Sequence, residues 1–140
     1  MKKLLIVLVM FCLTLSAQQT ETGEVKLEIK NFGSNDGFVM IALFNNDEDY
    51  TNQGKPFRKA KLEIKNNVVN HTFEDLPFGE YAIKLFHDEN GNAELDKGLF
   101  GIPTEDYAFS NNASGSFGPA SYEDAKFELN KKSVLQKLEL

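Results

Sequence analysis

Apolar and polar residues alternate through most of this chain, and a two-residue period is typical of β-strands with one buried face. In residues 24–31, for example, Val25, Leu27 and Ile29 are separated by charged residues. Residues 37–44 are apolar almost throughout, which favours a central strand covered on both faces. The pattern predicts strands at 24–31, 37–44, 59–65, 67–73, 80–87, 123–129 and 133–139.

No segment has a helical apolar stripe that could cover a sheet, so two sheets have to cover each other. The predicted fold class is therefore all-β, a single antiparallel β-sandwich with one long ordered loop. Asn66 and Asn67 should form the turn of a hairpin between the third and fourth strands. The Leu-Pro-Phe-Gly sequence at 76–79 predicts another tight turn, because proline and glycine suit its dihedrals.

The first residues have the composition of an export signal. A short basic start precedes the apolar run Leu4–Leu15, which ends at small residues. This arrangement is typical of a secretory signal peptide, and the run is shorter than a membrane span. We expect residues 1–18 to be a signal peptide, residues 19–140 to be one domain, and the protein to be periplasmic or extracellular. The alternative is an uncleaved anchor over the same apolar run.

The charge balance limits the class of partner. The chain has 15 Lys and Arg against 21 Asp and Glu, and removing Lys2 and Lys3 with the leader leaves 13 against 21, or about −8. An acidic domain disfavours nucleic acid and anionic lipid. The only cysteine, Cys12, lies in the leader, so the domain has no disulfide. We expect a monomer without a further membrane span, whose partner is an extracytoplasmic protein or glycan.

The long connection 87–112 contains the most distinctive motif. Residues 88–96 follow the pattern D-x-N-x-N-x-x-x-D, which places short oxygen-bearing side chains on alternate residues. Calcium binds six to eight oxygens at flexible spacing, and a curled loop of this kind can bring them to one ion. The predicted ligands are the side chains of Asp88, Asn90, Asn92 and Asp96 and the backbone carbonyl of Glu94.

This motif also departs from the helix-loop-helix calcium site. Ala93 stands where glycine is usual, and Leu99 replaces the bidentate glutamate. The alternative is a structural loop held by its own side-chain-to-backbone hydrogen bonds. Calcium is the one cofactor that the sequence suggests.

Evidence for catalytic residues is weaker. His71 and His87 are the two histidines, and neither lies in an H-E-x-x-H motif. Ser110 and the serines that follow it lack a G-x-S-x-G elbow, so we expect them to solubilise and cap the loop. We therefore predict a non-enzymatic module for binding or assembly, without catalytic residues. The alternative is an extracytoplasmic hydrolase with its site at the His87–Glu105 end of the sandwich.

Five aromatic residues lie in or just beyond the long connection. We expect them to pin it against the domain, because a connection of this length needs apolar contacts to remain ordered. The alternative is that they line a groove for a sugar or peptide. The five are Phe100, Tyr107, Phe109, Phe117 and Tyr122.

Three linked motifs carry a family resemblance. They are F-x-x-L-P-x-G-x-Y-A at 73–82, H-D-x-N-G-N-x-x-L-D at 87–96 and G-I-P-T-E-x-Y-x-F-S-N-N at 101–112. Together they resemble the domain-of-unknown-function family 2141 of secreted bacterial proteins. The resemblance implies an exported single domain with an immunoglobulin-like or transthyretin-like sandwich, and it implies no established activity.

Overall fold

Strands dominate the computed structural model, which describes residues 21–140, and they confirm the all-β prediction. The predicted signal peptide, residues 1–18, lies outside the described residues. No helix within 21–140 is long and apolar enough to cross a bilayer. The strands are β1 (Thr22–Lys30), β2 (Phe38–Phe44), β3 (Arg58–Glu63), β4 (Val68–Pro77), β5 (Gly79–Asp88), β6 (Tyr107–Phe109), β7 (Phe127–Leu129) and β8 (Ser133–Glu139). The α-helices are α1 (Asp47–Thr51) and α2 (Tyr122–Ala125), and Leu99–Gly101 and Ser110–Asn112 form short 3-10 turns.

The strands form two sheets. One has the order β4-β1-β8, and the other has the order β3-β2-β5, with β6 and β7 both pairing with the far edge of β5. All of these pairs are antiparallel except β1 with β8, so the prediction of purely antiparallel pairing is wrong there. The reason lies in the turn before β8: Glu24 donates its N–H to the carbonyl of Lys132 at 2.9 Å. Because β8 begins beside the start of β1, the two strands run in the same direction.

The predicted hairpin at Asn66 and Asn67 is only partly correct. Both residues have positive φ, 55° and 57°, and Lys65 bridges Val68, so the turn is confirmed. The flanking strands nevertheless separate, since β3 pairs with β2 and β4 pairs with β1. A local turn sequence determines the reversal of the chain, whereas the choice of sheet depends on distant partners.

The predicted tight turn at 76–79 is wrong. β4 continues to Pro77 and β5 begins at Gly79, so the single bent residue Phe78 carries the chain from one sheet to the other. The Tyr81 hydroxyl donates to the carbonyl of Pro77 at 2.7 Å and braces this bend. Proline fits here because it is the last residue of its strand, where a missing N–H costs little.

Both faces of β5 are buried. On one face, residues of both sheets share a single hydrophobic cluster that includes Leu27, Ile41 and Ile83. On the other face, Ala82 is fully buried in a smaller cluster. The loops and the two short helices supply most of that second cluster, which consists of Phe44, Tyr50, Ala82, Phe109, Ala120, Tyr122 and Ala125.

The sequence pattern missed both helices, and α2 occupies the first half of the strand predicted at 123–129. Each helix is too short to show an apolar period, but each begins with a capping side chain. Asn46 accepts a hydrogen bond from the N–H of Asp49 at 2.8 Å, and Ser121 accepts one from that of Asp124 at 3.2 Å. These are ordinary N-cap contacts.

Ser110 closes a gap in the pairing of β5. β7 pairs with residues 79–81 and β6 with residues 84–86, so the N–H of Ile83 has no strand partner on that side. The buried Ser110 hydroxyl accepts from this N–H at 2.8 Å and donates to the carbonyl of Ala125 at 2.5 Å. The prediction that this serine solubilises and caps the loop is wrong, because it is buried and bonds to distant backbone groups.

Gly37 should be indispensable to the close approach of β2 and β5. A Cβ atom at this position would lie 1.9 Å from the carbonyl oxygen of Asp88, and the φ of 69° is unfavourable for alanine. We expect Gly37→Ala to lower the free energy of unfolding by about 3 kcal/mol, measured by urea denaturation. Gly79→Ala is the matched control, because a Cβ there meets nothing within 4 Å. Similar losses in the two variants would contradict this account.

Candidate functional site

The residues that follow β5 curl into a compact loop, the Asp/Asn loop (residues 88–96). The side-chain oxygen of Asn90 accepts from the N–H of Asn92 at 2.9 Å, and that of Asn92 accepts from the N–H of Glu94 at 2.8 Å. Such contacts replace the backbone bonds that a sheet would supply and hold the chain in successive turns. The motif therefore folds locally, as the structural-loop alternative requires.

Asp88 is the buried end of this loop. Its side chain is fully buried, and its Oδ2 accepts from the N–H of Ala93 at 3.0 Å. Its Oδ1 is buried without any hydrogen-bond partner. An unpaired polar atom in the interior is unfavourable, and such atoms often mark the position of an ion or a water.

Asp96 lies at the other end of the loop and receives the two side-chain amides. Asn90 donates to its Oδ2 at 2.5 Å, and Asn92 donates to its Oδ1 at 3.0 Å. The structure thus brings three predicted ligands into direct contact and ties Asp88 to the same loop through Ala93. Glu94 lies between them, with an exposed side chain.

The loop backbone takes positive φ at Gly91, 74°, and at Ala93, 65°. Glycine adopts this conformation freely, whereas an alanine is strained in it. The bond from Ala93 to Asp88 holds the strained residue in place. Ala93 therefore keeps the conformation that glycine usually supplies in a calcium loop.

Glu105 fastens the two ends of the loop. Its carboxylate is almost completely buried and accepts from the N–H of Glu89 at 3.0 Å and from that of Asp96 at 3.0 Å. The sequence placed Glu105 near this end of the domain but did not reveal this contact. No local pattern could, because the two donors lie 16 and 9 residues away along the chain.

His87 does not join a pocket of carboxylates. It is fully buried, its Nε2 lies 2.7 Å from the carbonyl oxygen of Asp36, and its ring packs edge-on against Phe32. Its Nδ1 is 3.7 Å from the carboxylate of Glu89. Two surface cavities, of about 340 and 270 Å³, are lined by other residues.

His71 lies on β4, in the other sheet. Its ring packs edge-on against Phe73, and burial lowers the pKa of the imidazole. Within residues 21–140, no three His, Cys, Asp or Glu side chains gather into a group that could hold a metal. Any metal bound at the Asp/Asn loop would therefore need amide and carbonyl oxygens beside its two carboxylates.

The aromatic residues of the long connection divide into two groups. Phe109 and Tyr122 are buried, which confirms the predicted pinning role for them. Phe100 and Phe117 are fully exposed, so the prediction is wrong for these two, while Tyr107 is partly exposed. The buried pair lies where the chain passes over the outer face of β5. Of the exposed pair, Phe100 lies in the short 3-10 turn Leu99–Gly101, and Phe117 lies in the loop that precedes α2.

Removing the Glu105 carboxylate should loosen the Asp/Asn loop. We expect Glu105→Ala to lower the free energy of unfolding by about 2 kcal/mol, because two backbone N–H groups lose their acceptor. Amide exchange at Glu89 and Asp96, followed by NMR, should accelerate in the same variant. Asp106→Ala is the matched control, with an exposed neighbouring carboxylate and an expected change below about 0.5 kcal/mol. Unchanged exchange in Glu105→Ala would contradict the assignment.

Comparison with known proteins gives one match. A family model described as "Uncharacterized protein conserved in bacteria (DUF2141)" matches residues 27–137. The matched region runs from within β1 to within β8, so it includes the Asp/Asn loop and strands of both sheets. It confirms the family resemblance predicted from the sequence. No curated protein and no solved structure matches the chain.

Proposed function

The chain belongs to the DUF2141 family, and on that premise we propose that it is an exported, non-enzymatic β-sandwich module stabilised by calcium. The sandwich would be immunoglobulin-like or transthyretin-like, and its role would be binding or assembly with an extracytoplasmic protein or glycan. The shared hydrophobic cluster of the two sheets supports the sandwich. The leader-like composition of residues 1–18 supports export.

The non-enzymatic role is supported by the geometry around His87. A general acid or base has to reach its substrate, and this imidazole is completely buried. Glu105, the carboxylate that the hydrolase alternative requires, is already engaged with two backbone N–H groups. These contacts support structural roles for both residues.

The single observation that carries the calcium proposal is the carboxylate of Asp88. Its Oδ2 is hydrogen-bonded inside the loop, while its Oδ1 is buried without a donor. A buried anionic oxygen without a partner is strongly unfavourable. A cation bound in the Asp/Asn loop would provide that partner.

The remaining oxygens of the loop support a site of low affinity. Asn90 and Asn92 each use one lone pair of the amide oxygen for a backbone N–H, and such an oxygen has two. Two carboxylates and two neutral amides provide modest charge. We therefore expect a dissociation constant of about 10⁻⁴–10⁻³ M, the range of extracellular calcium modules.

Calcium should raise the melting temperature of the chain from residue 19 onward, which retains every element described above. A ligand at about ten times its dissociation constant adds about 1.4 kcal/mol when it binds only the folded protein. For a domain of this size that corresponds to a shift of about 5 °C. The measurement is differential scanning calorimetry in excess chelator and in about 10 mM calcium.

Variants should localise this shift. Asp96→Asn keeps the shape of the side chain but removes its charge, and it should lose most of the shift. Asp106→Asn, at a nearby exposed carboxylate, should retain it. Magnesium should have little effect because it demands tighter octahedral geometry. The same melting temperature of the parent protein in chelator and in calcium would leave only the structural loop.

A further inference from the structure

A small hairpin projects directly from the Asp/Asn loop. Thr104 donates its N–H to the carbonyl of Asp96 at 2.9 Å, and Gly98 donates to that of Ile102 at 2.8 Å. The end of this hairpin is an apolar tip formed by three side chains that are exposed to solvent. They are Leu99, Phe100 and Ile102, with exposed fractions of 84%, 97% and 65%.

Phe100 is also held in an unfavourable backbone conformation. Its φ is 66°, a region in which a bulky residue is a genuine outlier and in which glycine or asparagine would be relaxed. Packing of the ring does not offset this strain, because the ring is almost entirely exposed. Folding alone would favour a different residue here, so the side chain is explained better by what it contacts outside the domain.

We propose that the apolar tip inserts into the interfacial layer of a lipid bilayer and holds the module on the membrane surface. This inference goes beyond the proposed function, since it concerns where the module is held and does not require calcium. Contiguous exposed apolar side chains mark protein or membrane contacts. The size and charge of the tip favour the membrane.

The apolar tip is too small for a stable protein interface. Such an interface buries about 800 Å² on each partner, and three side chains provide only part of that area. Insertion into a bilayer has no comparable requirement, because each buried apolar side chain contributes separately. A second copy of the chain is disfavoured as the partner because a stable dimer needs the same interface area.

The charge around the tip fits a neutral lipid surface. Residues 97–103 contain one charged residue, Lys97, which can remain at the level of the headgroups. The acidic residues nearest to it in sequence, Asp96 and Glu105, are both engaged in hydrogen bonds at the base of the hairpin. The acidic balance of the whole domain opposes anionic lipid, so the proposed surface is zwitterionic.

The backbone of the hairpin is also suited to partial burial. Lys97 and Pro103 form a bridge, and Gly101 donates its N–H to the carbonyl of Gly98 at 3.3 Å. Backbone groups that are already hydrogen-bonded within the hairpin have no bond to water to lose when they enter the bilayer. Insertion of the tip therefore costs less free energy for desolvating the backbone.

The first experiment measures flotation of the chain from residue 19 onward with phosphatidylcholine vesicles, in excess chelator. We expect weak, reversible partitioning, at or below about 10⁴ M⁻¹. Phe100→Asn should weaken it about tenfold, while the melting temperature stays equal or rises, because asparagine tolerates positive φ. Phe117→Asn is the matched control: it removes an equally exposed phenylalanine whose neighbours in sequence, Ser116 and Gly118, carry no large apolar side chain, and it should change partitioning less than about twofold.

A second experiment uses the absence of tryptophan from the chain. Phe100→Trp introduces a single reporter at the tip, and Phe117→Trp introduces one elsewhere. On addition of vesicles, fluorescence of the first variant should shift to the blue and be quenched by brominated phosphatidylcholine. Fluorescence of the second should do neither.

Several results would overturn the proposal. Absence of partitioning by the parent protein, equal losses in the two asparagine variants, or quenching of both tryptophan reporters would each do so. A concentration-dependent dimer in sedimentation that Phe100→Asn abolishes would assign the tip to a second copy. The calcium shift in melting temperature is measured without vesicles, so failure of that proposal and failure of this one are distinguishable.

Discussion

The strand β5 is the constraint on which the rest of the structure depends. It is buried on both faces and paired along both edges, so almost every backbone group of the strand has to find a partner inside the protein. Where β6 and β7 leave the N–H of Ile83 unpaired, the Ser110 hydroxyl takes the place of a strand. The same hydroxyl ties the strand to α2, which covers its outer face.

The position of the Asp/Asn loop follows from the end of this strand. Asp88 is still paired with Phe38 of β2, and Gly37 allows the backbones to approach closely at that point. The first carboxylate of the loop is therefore fixed by the sheet, while Glu105 fixes the other end of the loop. Oxygens held by such a scaffold lose little freedom when a ligand binds. The loop would therefore lose little conformational entropy on binding a cation.

The sequence predicts what depends on neighbouring residues. Alternation in β1 and β5, the turn at Asn66 and the compact Asp/Asn loop all arise from contacts within a few positions, and they were predictable. The sheet to which β3 belongs and the contacts of Ser110 and Glu105 are long-range, with partners up to 27 residues away for these two side chains. Such contacts leave no periodic trace in one sequence, and the short helices have caps but no period.

Asp96 connects the two proposals. Its carboxylate receives the amides of the Asp/Asn loop, while its backbone forms the base of the hairpin through Thr104 and Glu105. A cation that coordinated this carboxylate would therefore add a further restraint to the base from which the apolar tip projects. Ordering before contact reduces the entropy lost on docking, so an ion in the loop would favour membrane contact without touching lipid. The coupling would be modest, because the hairpin already closes through its own backbone bonds.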